Sequence, residues 1–355
     1  MLLCHALMPF FLYICCMKRL FLLLCVSGLC TFLSAQNRVP DVVRVTRQHW
    51  FPSVPAGNYS GVTHIGGDRY AIVDDKHPCD GFLVVTVKTD SLGAVVSVEP
   101  EGFMTDSTSN RDAEDIVFVS GRGTVFTSGE KNNDIVELNL DGRKSGFELN
   151  VPPFLKTSRG NNGLEALAYN SATRTLWTCT ETPLPKDGAV ATTSNAVSEQ
   201  IRLVSFDENF APLSQCLYLT DKPSTRRQSA NYVLGVSALC ALDDGSLLVL
   251  ERECFVSRNK LGSFVVCKLY HVVPDDGKKY PVENIPVGQM QPLRKTLLHE
   301  WKTRMNLFHQ DFANYEGMCL MPSLSDGSKV LLLVADSQAQ YGGLLRDWFM
   351  TIVLK

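Results

Sequence analysis

From about residue 59 onward, apolar residues come in short runs of about five to eight, broken by glycine-rich or acidic turns. The stretch RDAEDIVFVSGRGTVFTSGEK (111–131) holds two such runs around Ser120-Gly121-Arg122-Gly123 and predicts a β-hairpin. Four other segments share the design. SGVTHIGGDRYAIVDDK (60–76) turns at Gly66-Gly67-Asp68, and NGLEALAYNSATRTLWTCTET (162–182) turns around Thr173. LGVSALCALDDGSLLVLERE (234–253) turns at Asp243-Asp244-Gly245, and NYEGMCLMPSLSDGSKVLLLVADS (314–337) turns around Asp326. A second strand pair follows most of them: FLVVTVKTD then AVVSVEP, DIVELNLDGR then GFELNVP, IRLVSFDENF then SQCLYLT.

Four antiparallel strands per unit, recurring every ~50–80 residues, predict an all-β fold, a β-propeller. Five units are counted, and the insertions at 183–200 and 274–312 leave room for a sixth. The last unit, 316–355, shows only three strands, and DVVRVTRQHWF (41–51) is placed to supply a fourth and close the ring. Helical periodicity is confined to a short stretch near Leu344 to Trp348. A β-sandwich also has many short strands, but it does not explain what the hairpin ends carry.

Those ends are acidic. Glu114 and Glu130 stand at mirror positions about Arg122, so regular pairing predicts that they face each other. Glu165 and Glu181 mirror each other about Thr173, as Glu316 and Asp336 do about Asp326. The first hairpin ends in Asp74-Asp75, and Asp115 follows Glu114. The fourth ends in Glu251, with Ser237 where the others place an acid. In a propeller these ends gather at one mouth of the central channel. Any one acid at a strand end is ordinarily just solvated; the repetition points to a site. So many carboxylates need raised pKa values, basic partners or a bound cation. Lys76, Lys131 and Arg252 directly follow three of them. Calcium, which takes oxygen ligands, suits the set Asp74, Asp75, Glu114, Asp115, Glu130, Glu165, Glu181, Glu251, Glu316 and Asp336. Asn132, Asn161, Asn162, Asn231 and Asn314 flank the acids as amide-oxygen donors.

The chain has 355 residues, 45% hydrophobic and 20% charged, an ordinary globular composition with room for a large core. Residues 1–35 hold no Asp or Glu. From Met17, MKRLFLLLCVSGLCTFLSA has the basic start, apolar run and small-residue exit of a signal peptide, with cleavage expected near Ala35–Gln36. Export to the periplasm or the extracellular space follows, with residues 36–355 as a single domain and no retained transmembrane helix. The mature chain carries 32 Lys+Arg against 37 Asp+Glu, which argues against nucleic-acid binding. Seven of twelve cysteines remain in it, scattered and without zinc-ligand spacing, so most are expected to be buried strand residues.

NGLEAL (162–167), VLER (249–252), NYEGM (314–318) and the later Asp336 resemble the phytase-like domain family, named for "esterase-like activity of phytase". The likeness runs over most of residues 55–340. It implies a propeller and a phosphoester-hydrolase activity. The chain departs from the family's usual pattern after the final aspartate, where it reads ADSQAQYGG.

Other chemistries are missing from the sequence. There is no G-x-S-x-G, H-E-x-x-H or G-x-x-x-x-G-K-[ST]. The histidines sit apart, and only His64 lies on an expected inner strand. The reading that results is a calcium-dependent hydrolase of small phosphoesters. An unligated carboxylate, Glu114 or Glu165, would be the general base, and Arg252, Lys131 or Arg111 would steady phosphate charge. A non-catalytic binding or scaffold propeller with structural calcium and a calcium-dependent lactonase are the alternatives.

Overall fold

In this computed structural model the described residues are 38–158, 163–274, 278–306, 308 and 311–355. The expected signal segment and its cleavage point, Asn161 and Asn162 lie outside the described residues. Residues 39–355 make one unit, and it contains five antiparallel sheets, four of four strands and one of four strands plus a short fifth.

Blade 1 comprises strands Tyr59–Gly66, Arg69–Asp74, Cys79–Thr89 and Val95–Ser109. Blade 2 comprises Ala113–Val119, Thr124–Gly129, Asp134–Asn139 and Lys144–Glu148. Leu164–Asn170, Thr175–Thr180, Gln200–Phe206 and Pro212–Leu219 form blade 3. Asn231–Ala241, Leu247–Val256, Ser263–Val272 and Lys295–Met305 form blade 4. Blade 5 takes Asn314–Met321, Lys329–Asp336 and Trp348–Leu354 from the end of the chain. Its fourth strand is Val42–Val45, paired in the register Val42↔Leu354 and Val45↔Ile352. His49–Trp50 adds to the same edge. The five first strands touch one another in turn around the axis, so each is the innermost of its blade.

The apolar runs are nearly continuous because both faces of every blade are covered. In KVLLLVAD (329–336), Leu331 and Leu333 lie in the layer shared with blade 4, and Val330, Leu332 and Val334 in the layer shared with blade 1. Three further layers of this kind separate blades 1 and 2, 2 and 3, and 3 and 4. The core is therefore five slabs between blades.

Two expectations are corrected. The stretch 344–348 is not helical: a short 3-10 turn, Tyr341–Gly343, leads into the strand that starts at Trp348. The insertions hold no sixth blade. Among the described residues, 183–199 has no strand, and 278–292 lies along the outer edge of blade 3 through Gln215↔Tyr280 and Leu217↔Pro292. No helix among the described residues is long and apolar enough to cross a membrane. None of the seven cysteines from Cys79 onward forms a disulfide, and five of them are buried.

Candidate functional site at the channel mouth

Each innermost strand carries a bulge at the same place, near its entry to the channel. The register skips between Tyr59 and Gly61, Ala113 and Ile116, Leu164 and Ala166, Val236 and Ala238, and Tyr315 and Gly317. The extra residues are Ser60, the Glu114–Asp115 pair, Glu165, Ser237 and Glu316. A bulge turns side chains off the regular alternation and re-aims them. Glu114 and Glu130 therefore do not face each other across the hairpin as regular pairing predicts. Ala113 pairs with Gly129, and Glu130 lies just past the strand end.

The two bulge serines stitch blades together: Ser60 Oγ donates to Ala113 O at 3.0 Å and Ser237 Oγ to Tyr315 O at 3.2 Å. Asp115 does similar work. Its carboxylate accepts from Ile116 N at 2.8 Å and, across the blade boundary, from Leu167 N at 2.7 Å. It is wholly buried, and burial holds its pKa well above the usual range despite those amides.

Two glycines let the acids tuck in. A Cβ on Gly163 would stand 2.9 Å from Glu130 Cγ, and one on Gly235 would stand 2.4 Å from Glu181 O. In both cases the first strand of one blade passes directly over the acid that ends the preceding hairpin. Gly163 N also donates to Glu130 Oε1 at 2.9 Å, and Val236 N to Glu181 O at 3.1 Å.

The resulting cluster takes acids from four blades and a cation from the fifth. Arg252 of blade 4 is buried, with its guanidinium bonded to Glu181, to Glu316 and, at 2.8 Å, to Asn314 Oδ1. Asn314 Nδ2 donates to Glu316 Oε1 at 2.8 Å and faces Asp336 Oδ2 at 3.5 Å. Across the mouth, Asp75, Asp112 and Glu114 each bring one carboxylate oxygen within 4.8 Å of the others. Lys76 Nζ lies 2.5 Å from Asp75 Oδ2 and 2.9 Å from Asp112 Oδ1. That half-exposed ammonium marks a place where a cation is favoured.

Burial pushes the carboxyl of Glu114 well above its ordinary pKa, and nearby Asp75, Glu130 and Glu316 add to the effect. Glu165 is raised likewise, by burial and by Glu181 and Glu114. Glu316 is raised by burial against the opposing pull of Arg252. Asp336 is pushed up to about 6, mainly by burial, although Gln338 N donates to it at 2.6 Å. Burial also raises Asp75 and Glu130. Desolvation, repeated among like charges, disfavours the ionised form of these acids.

Several expected site residues do other things. Glu251 turns away from the mouth into the boundary between blades 3 and 4. There it meets Tyr218 Oη at 2.6 Å and Lys295 Nζ at 2.5 Å, while Asp221 joins Lys295 and Lys268. Arg111 is buried and bonded to Asp80 (2.8 Å), Asp134 and Thr127 (2.6 Å), which holds it between blades 1 and 2 rather than at the mouth cluster. Asp74 caps Lys76 N at 3.1 Å, Lys131 is exposed beside Glu130, and Asn132 is exposed next to it. His64 sits at the far end of its strand, bonded to Gly67 O at 2.7 Å. The residue that sequence reasoning missed is Asp112. It stands two positions before Glu114, with φ 58°, and the run RDAED was its signal.

The family described as "Esterase-like activity of phytase" matches residues 54–338. The chain belongs to this phytase-like family. The match takes in blades 1 to 4, the first two strands of blade 5 and every acid of the mouth. No curated protein matches the sequence. Among solved structures, a thermostable family-43 glycoside hydrolase is 12% identical, over 86% of this chain and 92% of that one, with a TM-score of 0.47. An endo-arabinase from Bacteroides thetaiotaomicron VPI-5482 is 11% identical, over 89% and 97%, with a TM-score of 0.46. A luciferin-regenerating enzyme is 12% identical, over 87% and 95%, with a TM-score of 0.43. At these levels the likenesses carry no argument about chemistry.

Proposed function

We propose that this phytase-like propeller is a calcium-dependent hydrolase of small phosphoesters, with its site at the acidic channel mouth. The observation that carries the reading is the triad Asp75, Asp112 and Glu114 around the Lys76 ammonium. Their oxygens lie within 4.8 Å of one another, which suits one ion with oxygen ligands at about 2.3–2.6 Å. All the donors are hard carboxylate oxygens, and Lys76 is free to swing out toward solvent. Bound there, calcium would neutralise the carboxylates, draw in phosphate oxygens and lower the pKa of an attacking water. Glu165, beyond the triad, would take that water's proton as general base, its pKa raised by burial and by Glu181 and Glu114. Lys76, displaced from the acids by the ion, would balance the charge that gathers on the phosphoryl oxygens.

Turnover of chromogenic aryl phosphate mono- and diesters, with calcium and with chelator, tests this. Chelator-sensitive turnover is expected, lost in Glu165→Gln while calcium still binds. No such turnover on either ester class overturns the reading. A binding propeller with structural calcium is the second reading, favoured by one observation: Arg252 is already saturated by Glu181, Glu316 and Asn314. Calcium that raises the melting temperature without any turnover supports it.

A further inference from the structure

A cleft of about 420 Å³ opens between blades 4 and 5 and runs outward from the acidic mouth. Its inner end is formed by Asn314 and Asp336, both members of the cluster. Beyond them the walls turn apolar, with buried Met305 and Phe312 on one side and the loop residues Leu344 and Leu345 on the other. Leu344 is 50% exposed, an unusual degree for a leucine beside a buried polar cluster. At the rim, Lys260 Nζ lies over the Tyr341 ring, 5.7 Å from its centre, and no carboxylate pairs with it among the described residues. Its volume falls in the range of pockets for small organic ligands, which combine apolar walls with a few placed polar groups.

We infer that this cleft seats the organic group of the substrate, and that this group is apolar: an alkyl or aryl ester of phosphate rather than a polyphosphorylated sugar or polyol. The inference rests on the phosphoester reading of the mouth and names the substrate class within it. A polyol bearing several phosphates would have to strip water from multiple charges against Met305, Phe312, Leu344 and Leu345, with Lys260 as the one cation lining the cleft. An alkyl or aryl group gains by burial on those same walls. The single phosphoryl group then lies at the inner end, beside Asn314 and the triad. Hydrolysis there forms a bond from water oxygen to phosphorus and breaks the phosphorus–oxygen bond to the organic group. One water proton passes to Glu165 and from there, through solvent, to the departing alkoxide to give the alcohol; the other stays on the new phosphate oxygen, with no change of oxidation state.

Binding decides this apart from turnover, because phosphonates carry the head group on a bond that is not hydrolysed. The calcium-loaded protein is titrated by calorimetry with methylphosphonate and with hexylphosphonate. Hexylphosphonate is expected to bind at least ~10-fold tighter, since each buried methylene adds affinity. Leu344→Asp, at an exposed position, is expected to abolish that advantage and leave methylphosphonate binding unchanged. Equal affinities, no binding of either compound, or an advantage that survives Leu344→Asp overturns the assignment. An advantage abolished by Leu344→Asp in a protein that turns over no ester keeps the cleft and removes the hydrolase. Ester turnover with no such advantage does the reverse.

Discussion

Arg252 of blade 4 and Glu316 of blade 5 form a buried ion pair across the blade boundary at the channel axis. The other arm of the same guanidinium holds Glu181 of blade 3, so one cation joins three blades. Its Nε is buried and finds no hydrogen-bond partner among the described residues.

Removing that cation leaves two buried acids without a counter-charge. Arg252→Met should cost about 3–5 kcal/mol in urea unfolding, the usual penalty for breaking a buried pair. Adding Glu316→Gln to Arg252→Met should cost less than the sum of the single changes, because the two residues share one interaction. Calcium should restore part of the loss in Arg252→Met by supplying positive charge to the same mouth. No change in stability on Arg252→Met would mean that the pair contributes nothing.

Glu199 gives a pH signature separate from the mouth. It is fully buried beside the insertion at 183–198, with one oxygen accepting from Ala191 N at 2.6 Å and the other without a partner. Burial, with Glu181 and Glu251 nearby, pushes its carboxyl up to about 8. The folded state therefore binds a proton more tightly than the unfolded chain, whose glutamate titrates at about 4.3. Between those values the folded state holds more protons, so this residue's contribution to stability falls as pH rises. Glu199→Gln should flatten that decline and raise the melting temperature at pH 8 relative to the parent. Parallel stability profiles for the two proteins from pH 5 to 8 would contradict it.

Gly235→Ala tests the tucked acid. The new methyl would stand 2.4 Å from the backbone oxygen of Glu181, which cannot rotate away. A loss of about 1–3 kcal/mol is expected, as for other overpacked sites. Calcium affinity should change too, because Glu181 and its partner Arg252 must move. A neutral effect on both measurements would show that the two blades have slack at this contact.

Deleting residues 41–51 takes the fourth strand from blade 5. The strand Trp348–Leu354 then becomes an exposed edge with an apolar face bared. The melting temperature should drop by roughly 5–10 °C, with aggregation on heating. An unchanged melting curve would refute the closure as a source of stability.

The sheet architecture was legible because five hairpins repeat one period, and because runs such as KVLLLVAD fit strands covered on both faces. The 41–51 segment was recognised by arithmetic, as the strand that the last unit lacks. The site was harder to read. Mirror positions assume an unbroken register, and the bulges at Glu114–Asp115, Glu165 and Glu316 break it without a local sequence signal. Glu251 shows the same limit from the other side. It and Arg252 are adjacent on one strand and so point to opposite faces, which sends one to the blade 3 boundary and the other to the mouth. Sequence spacing placed both at the mouth; the bulge at Ser237 in the partner strand accompanies an arrangement that keeps only Arg252 there. Arg111 could not be told from a substrate-facing arginine, because its partners Asp80 and Asp134 come from other strands.

The closure of blade 5 also sets an order of assembly. Asp41 and Lys355 exchange backbone hydrogen bonds, N–H to O at 3.0 Å one way and 2.9 Å the other. Nearly the whole chain lies between them, so this contact carries the largest loop entropy in the molecule and forms late. A chain emerging from its N-terminus holds Val42–Val45 idle until the last strand arrives, and blades 1 and 4 wait with uncovered apolar faces. Aggregation competes with folding during that interval. A permuted chain that joins residue 355 to residue 39 through a short linker and opens between two blades turns the slowest contact into a local one. The native order of strands leaves folding of the ring dependent on delivery of the strand Trp348–Leu354 to Val42–Val45.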